Sequence, residues 1–149
     1  MITVDELTDY LHLHIPLSAA MGVTALQASS SEVRLNALFE PNINHQATVF
    51  GGSASAVAIL AAWSLMHVRL REAGLNCELV IQRNSMEYLL PFDKDFEAVC
   101  TYVDEEAWLR FLKLYERRGR ARLVVQARLF CEGDLVGELE GAFVALKRG

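Results

Sequence analysis

The chain has 149 residues, 52% hydrophobic and 22% charged, the make-up of one soluble globular domain with enough material for a real core. Its formal charge of −5 excludes a general nucleic-acid binder, which needs a basic surface. Cys77, Cys100 and Cys131 are an odd set without metal-type spacing, so buried thiols in a reducing cytoplasm are expected.

Residues 1–6 are acidic and amphipathic, unlike a secretion leader. Thr3-Val4-Asp5-Glu6 reads as a capping box, and Val4, Leu7, Leu11 and Ile15 recur at helical spacing until Pro16. His12 and His14, two apart on that helix, point to different sides and make no metal pair. Residues 23–28 and 33–39 read as strands about the turn Ser29-Ser30-Ser31. A polar loop, residues 42–52, then empties into residues 53–66, fourteen positions without a charge. The expected helix runs over 53–73, with Gly74 as its cap. The uncharged run is too short for a bilayer and rich in Ala and Ser, which favours a wrapped core helix over a membrane span. Strands follow over 79–88 and 96–103, separated by Pro91 and Asp93. Asp104-Glu105-Glu106 opens another helix, with Trp108, Phe111, Leu112 and Tyr115 as its apolar positions and a basic end that suits the helix dipole. Trp63 and Trp108 read as packing residues rather than stacking platforms. Strands over 121–131 and 135–146 close the chain as a hairpin across Gly133-Asp134.

A helix without charge for fourteen residues must be covered on most sides. The simplest cover is a curved antiparallel sheet of about six strands wrapped around it, an α+β arrangement in one domain over 1–149. Val124, Phe130 and Val144 face outward in that scheme. They and the sheet edges call for a partner, hence a homo-oligomer, either a dimer or a dimer of dimers.

The segment with the most chemistry is the loop and its Gly51-Gly52 pair. Glycines admit a substrate close to the backbone. The first-turn N–H groups of a helix lack internal partners and carry partial positive charge. A thioester carbonyl becoming an oxyanion would be stabilised there. The plainer reading is a tight loop before a core helix.

The order of elements resembles the hotdog fold, and the loop resembles that of hotdog acyl-CoA thioesterases. There an Asn stands seven positions before a His-Gly-Gly triplet, a separation that Asn44 and Gly51 keep. The nearest likeness is to a thioesterase-like domain found alone or fused to GNAT-type acetyltransferases. That group shows Asn-x-Asn, Thr, Phe-Gly-Gly-Ser and a helical Trp, here Asn42, Asn44, Thr48, Phe50-Gly51-Gly52-Ser53 and Trp63. Tyr88 and Pro91 complete the likeness. The resemblance implies that the Gly52 N–H polarises a thioester carbonyl and that Asn44 positions water or substrate, with His45, Thr48, Phe50 and Gly51 lining the site. The helix carboxylate of working thioesterases falls at Ile59, and their triplet His at Phe50, so the usual base is absent.

Other groups must then activate water. Ser53 and Ser55 could hold it, or simply cap the helix and pack closely. Gly51-Gly52-Ser53-Ala54-Ser55 misses the nucleophile elbow at its last residue. His45, with an unperturbed pKa of about 6.5, is a candidate base or an idle loop residue. Glu87, beside Met86 and Tyr88, is the carboxylate to watch, because partner strands help line the site in hotdog dimers; Asp93 and Asp95 are weaker candidates. Arg110, Lys113, Arg117, Arg118, Arg120 and Arg122 surround Glu116 alone among acids. This cluster, chiefly Arg117, Arg118 and Arg120, could hold the phosphates of coenzyme A or an acidic acyl carrier protein, or could be a solvated helix end.

The expected protein is therefore a cytoplasmic thioester hydrolase acting on acyl-CoA or an acyl carrier protein at a dimer interface. No metal or redox cofactor is implied, and coenzyme A enters only as part of the substrate. The alternatives are a non-catalytic acyl-CoA sensor and an acyl hydratase or dehydratase.

Overall fold

The computed structural model describes residues 1–101 and 104–148. The amphipathic start folds as α1 (Val4–His14), whose capping box pairs the Thr3 side chain with the Glu6 N–H and the Glu6 side chain with the Thr3 N–H. Leu7 and Leu11 are its buried face. Pro16 does not simply stop the helix. It opens a short second one, α2 (Pro16–Ala20), because proline at a first helical position loses no hydrogen bond.

Strands β1 (Thr24–Ala28) and β2 (Val33–Ala37) form a hairpin about the serine turn. A short 3₁₀ turn at Glu40–Asn42 leads to the site loop. Helix α3 (Gly51–Glu72) starts two residues earlier than the sequence predicts, so both glycines are first-turn helical residues rather than loop. Phe50, extended at the N-cap, allows this, and the first turn lacks internal N–H bonds in any case. At the other end Gly74 takes φ +74°, and the Leu75 N–H reaches the Leu70 carbonyl at 3.0 Å, a Schellman closure.

Strand β3 (Cys77–Tyr88) runs back along α3, followed by β4 (Phe96–Cys100). The tail of the strand expected over 96–103 includes Tyr102 and Val103, which lie outside the described residues. Helix α4 (Glu105–Arg118) is capped by Asp104 and buries Trp108, Phe111 and Tyr115. Strands β5 (Arg120–Cys131) and β6 (Asp134–Lys147) form the final hairpin. Its two turn residues are Glu132 and Gly133, not Gly133 and Asp134. Both have positive φ, 51° and 85°, as a right-twisted two-residue hairpin requires.

All six strands make one antiparallel sheet in the order β1-β2-β4-β5-β6-β3. It curves around α3, whose Val57, Ala58, Ala61, Ala62, Leu65, Met66 and Val68 are fully buried. By length and composition α3 could cross a membrane, with mean hydropathy 1.3 over its apolar window, yet 61% of that window is buried in the fold. The expected wrapped helix is what the chain forms. Arg69 ties the layers together: it donates to the Ser30 carbonyl at 2.6 Å, pairs with Glu105 at 2.8 Å and lies over the Trp108 ring at 4.7 Å. Of the outward residues expected to need cover, Val124 is half exposed, while Phe130 and Val144 are partly buried.

Candidate functional site

The site loop is a miniature hairpin. Ile43 and Val49 bridge antiparallel, the Asn44 N–H donates to the Thr48 carbonyl at 2.8 Å, and the Phe50 N–H returns to the Asn42 carbonyl at 2.7 Å. Asn44 is its hub. Its side-chain oxygen accepts from the N–H groups of Gln46 at 2.8 Å and Thr48 at 3.1 Å, and its amide donates to the Thr48 hydroxyl at 2.9 Å. This network holds Ala47 at φ +60°, a conformation that costs an L-residue about 1–3 kcal/mol. The Asn44 side chain is therefore committed to shaping the loop, and so is the Thr48 hydroxyl. His45 stands exposed at the hairpin tip.

Below the loop, Asn42 is buried and donates to the carbonyls of Met21 at 2.9 Å and Leu38 at 2.6 Å. The Val49 N–H donates to the Phe92 carbonyl at 2.8 Å, which fixes the loop on the segment after Pro91. Asp95 spends a carboxylate oxygen on the Phe39 N–H at 2.7 Å. These clamps belong to the fold and deliver the helix start to the surface.

That start is the chemical feature. Phe50 is the N-cap and offers no polar side chain, and Ser53 and Ser55 lie inside the helix past the cap position, so no side-chain cap bond forms among the described residues. The first internal bond is that of the Ala54 N–H to the Phe50 carbonyl at 3.0 Å. The N–H groups of Gly51, Gly52 and Ser53 therefore open the helix without a cap, at its positive pole. Gly52 is exposed and Gly51 half buried. A Cβ at Gly52 would collide with the Phe50 ring, so glycine lets that exposed ring lie against the helix start. The Tyr88 hydroxyl donates to the Gly51 carbonyl at 3.1 Å and its ring sits 3.4 Å from where a Gly51 Cβ would be. Tyr88 is the residue whose role here the sequence leaves open: the Tyr-x-x-Pro spacing marks it, but only the return of β3 along α3 shows why.

The remaining candidates are not all brought together. Ser53 and Ser55 lie half buried in the first turns of α3, beside the amides. Ile59 is half buried two turns further on, an apolar side chain at the position of the helix carboxylate in similar thioesterases. Glu87 is exposed and opposite Glu138, near Ser85, Gln126, Arg128 and Glu140 on the outer sheet face, away from α3. Arg117, Arg118 and Arg120 are exposed where α4 meets β5. There Gly119 receives the Lys147 N–H, and Lys147 pairs with Cys77 at the far end of β3. Twelve strand residues separate that end from Tyr88, about 35 Å along the sheet.

A cavity lies at the other end of α3. It has a volume of about 590 Å³ and is lined by Tyr10, Trp63, His67, Leu79 and Val80, with Arg71, Asn76 and Arg148 among its polar residues. The Trp63 and His67 rings stack 4.8 Å apart at 12°, and Tyr10 lies 4.5 Å from His67. Trp63 also donates its indole N–H to the Leu79 carbonyl at 3.1 Å, so the expected packing residue is a cavity wall as well. Burial, with help from the charge of Arg71, lowers the His67 pKa to about 4, so this imidazole is neutral at pH 7. Its Nε2 is buried without a hydrogen-bond partner among the described residues. Burial likewise raises the pKa of the Cys77 thiol at the cavity rim.

Known structures share this architecture. A protein of unknown function from Chlorobaculum tepidum superposes with a TM-score of 0.91 at 28% identity, over 97% of this chain and 94% of that one. A protein from Shewanella oneidensis described as a "putative thioesterase" gives 0.81 at 24% identity, over 96% of each chain. One from Pseudomonas aeruginosa described as a "Probable Thioesterase" gives 0.84 at 18%, over 99% of this chain and 97% of that one. These last two likenesses establish the fold, which is the hotdog arrangement of a sheet around a central helix. The sequence profile of one family matches residues 4–147, nearly the whole chain. The chain thus belongs to the family described as "Putative thioesterase (yiiD_Cterm)".

Proposed function

We propose that the protein hydrolyses an acyl thioester of coenzyme A or of an acyl carrier protein, with the carbonyl at the start of α3. The observation that carries this reading is the uncapped first turn, where Gly52 carries no side chain of its own and is covered by nothing but the exposed, movable Phe50 ring among its near neighbours. The carbonyl oxygen docks on the Gly51–Ser53 amides, which strengthen their hold as it becomes an oxyanion. Ser53 and Ser55 hold the attacking water. Water oxygen bonds to the carbonyl carbon, the C–S bond breaks, and one proton of that water passes to the leaving thiolate, giving a free acid and a thiol. Asn44 is a positioning residue that acts through the loop.

The site belongs to a dimer. Strand β3 is a twelve-residue edge with β6 on one side only. Ile43, Phe50, Tyr88, Leu89 and Leu90 expose apolar surface beside the tip. Antiparallel apposition of two β3 edges covers both liabilities. It also sets the Arg117–Arg118–Arg120 end of one protomer near the tip of the other. Those guanidiniums then hold phosphates that the same protomer's tip could not reach.

The test is thiol release from a series of acyl-CoA and acyl-carrier-protein thioesters. Turnover that is lost in Gly52→Val supports the reading. A second reading, a non-catalytic acyl-CoA sensor, is favoured by the apolar Ile59 and by the committed Asn44 amide. Saturable binding without turnover of any thioester selects it.

A further inference from the structure

The start of α3 and the cavity at its other end share one face of that helix. Gly52 is exposed and Ala56, Ile59, Trp63 and His67 are half buried, whereas Val57, Ala58, Ala61, Ala62 and Leu65 on the other faces are fully buried. Successive spacings of four and three keep these five residues on a single face. That face lies along β3, as shown by the bond of Tyr88 to Gly51 at one end and of Trp63 to Leu79 at the other. Eleven residues separate Gly52 from Trp63, about 16 Å along the helix. The face ends at the Tyr10–Trp63–His67 rings and the cavity they wall, whose size is that of small-molecule sites. His67 adds no charge to this lining at pH 7.

We infer that this cavity receives the apolar tail of the acyl group whose carbonyl sits at Gly52, and that Ala56, Ile59 and Trp63 set the tail length accepted. The inference rests on the thioester reading above. A tail that leaves Gly52 crosses the small Ala56 side chain, then Ile59, and ends against the ring wall. A two-carbon acyl group stops short of all three. The protein is accordingly a selector of medium-length apolar acyl groups.

Chain-length ratios test this and do not depend on how much of a variant folds. In Ala56→Phe, the ratio of dodecanoyl-CoA to acetyl-CoA turnover falls by about tenfold or more, the scale on which an apolar pocket discriminates between substrates. In Trp63→Ala, the ratio of hexadecanoyl-CoA to dodecanoyl-CoA turnover rises. Unchanged ratios in both variants overturn the inference while leaving the hydrolase reading standing. Should the wild type release no thiol, the hydrolase reading fails alone. The cavity is then tested by titrating dodecanoyl-CoA into a Trp108→Phe variant, where Trp63 is the one remaining indole. A saturable change in emission, lost on adding Ala56→Phe, supports the tail site. An emission that does not respond overturns it.

Discussion

The two ends of α3 are built on opposite plans. At its start, backbone amides are left uncapped, and a short-range network of Asn44, Thr48, Asn42 and Tyr88 holds them at the surface. At its far end, side chains from α1, α3 and β3 converge into a ring-walled cavity with an unpaired buried imidazole nitrogen. In the proposed reaction the first takes up developing charge and the second takes up apolar bulk. The difference teaches that one buried helix can present its dipole and its half-covered face to different parts of the same ligand.

The contrast is broken most severely at the tip. Gly52→Val places a branched side chain where the Phe50 ring lies and closes the approach to the amides. Thiol-release assays are expected to show kcat down by about 10²–10³. The ring is the outer part of an exposed side chain and can swing away, so circular dichroism should report a folded protein. Asn44→Ala removes the hub of the loop, and misplacement of the tip is expected to lower kcat by about 10²-fold, with little change in KM for acyl-CoA. Wild-type kcat in either variant would take that residue out of the account.

Smaller effects sharpen the comparison. Replacing Arg117, Arg118 and Arg120 together by Gln should weaken acyl-CoA binding about tenfold at low salt, with the difference fading as salt rises. An unchanged Kd at low salt would show that the basic end has no part in binding. At the cavity end, His67 titrates near 4 in the folded protein and about 6.5 when unfolded. The unfolded state therefore binds this proton first, and stability drops as pH falls from about 6.5 to 4, then levels off. In His67→Phe that share of the acid loss should vanish, so a melting temperature that falls with pH as steeply as in the wild type would contradict the assignment.

Much of the fold was legible because its signals are local. The capping box at Thr3, the alternation in β2 and β5 and the uncharged run of α3 each name their element within a few residues. Sequence and structure differ where local chemistry has two outcomes. Pro16 could stop a helix or start one, and Gly51-Gly52 could be loop or first turn. The tip was legible through its glycines and its Asn44–Thr48 spacing. The role of Asn44 was not, since only the closed hairpin shows its amide already engaged. Glu87 looked close to the tip through its neighbour Tyr88, but alternation along β3 sends the two side chains to opposite faces. The cavity joins Tyr10, the stretch from Trp63 to Val80 and Arg148, three segments that no spacing rule connects.

The central claim is that the uncapped first turn of α3 is where a thioester carbonyl sits. A crystal structure with a non-hydrolysable ketone analogue of dodecanoyl-CoA tests it directly. The ketone oxygen is expected about 3 Å from the Gly52 nitrogen, the distance of a hydrogen bond. An analogue bound with its ketone away from the Gly51–Ser53 amides would contradict it.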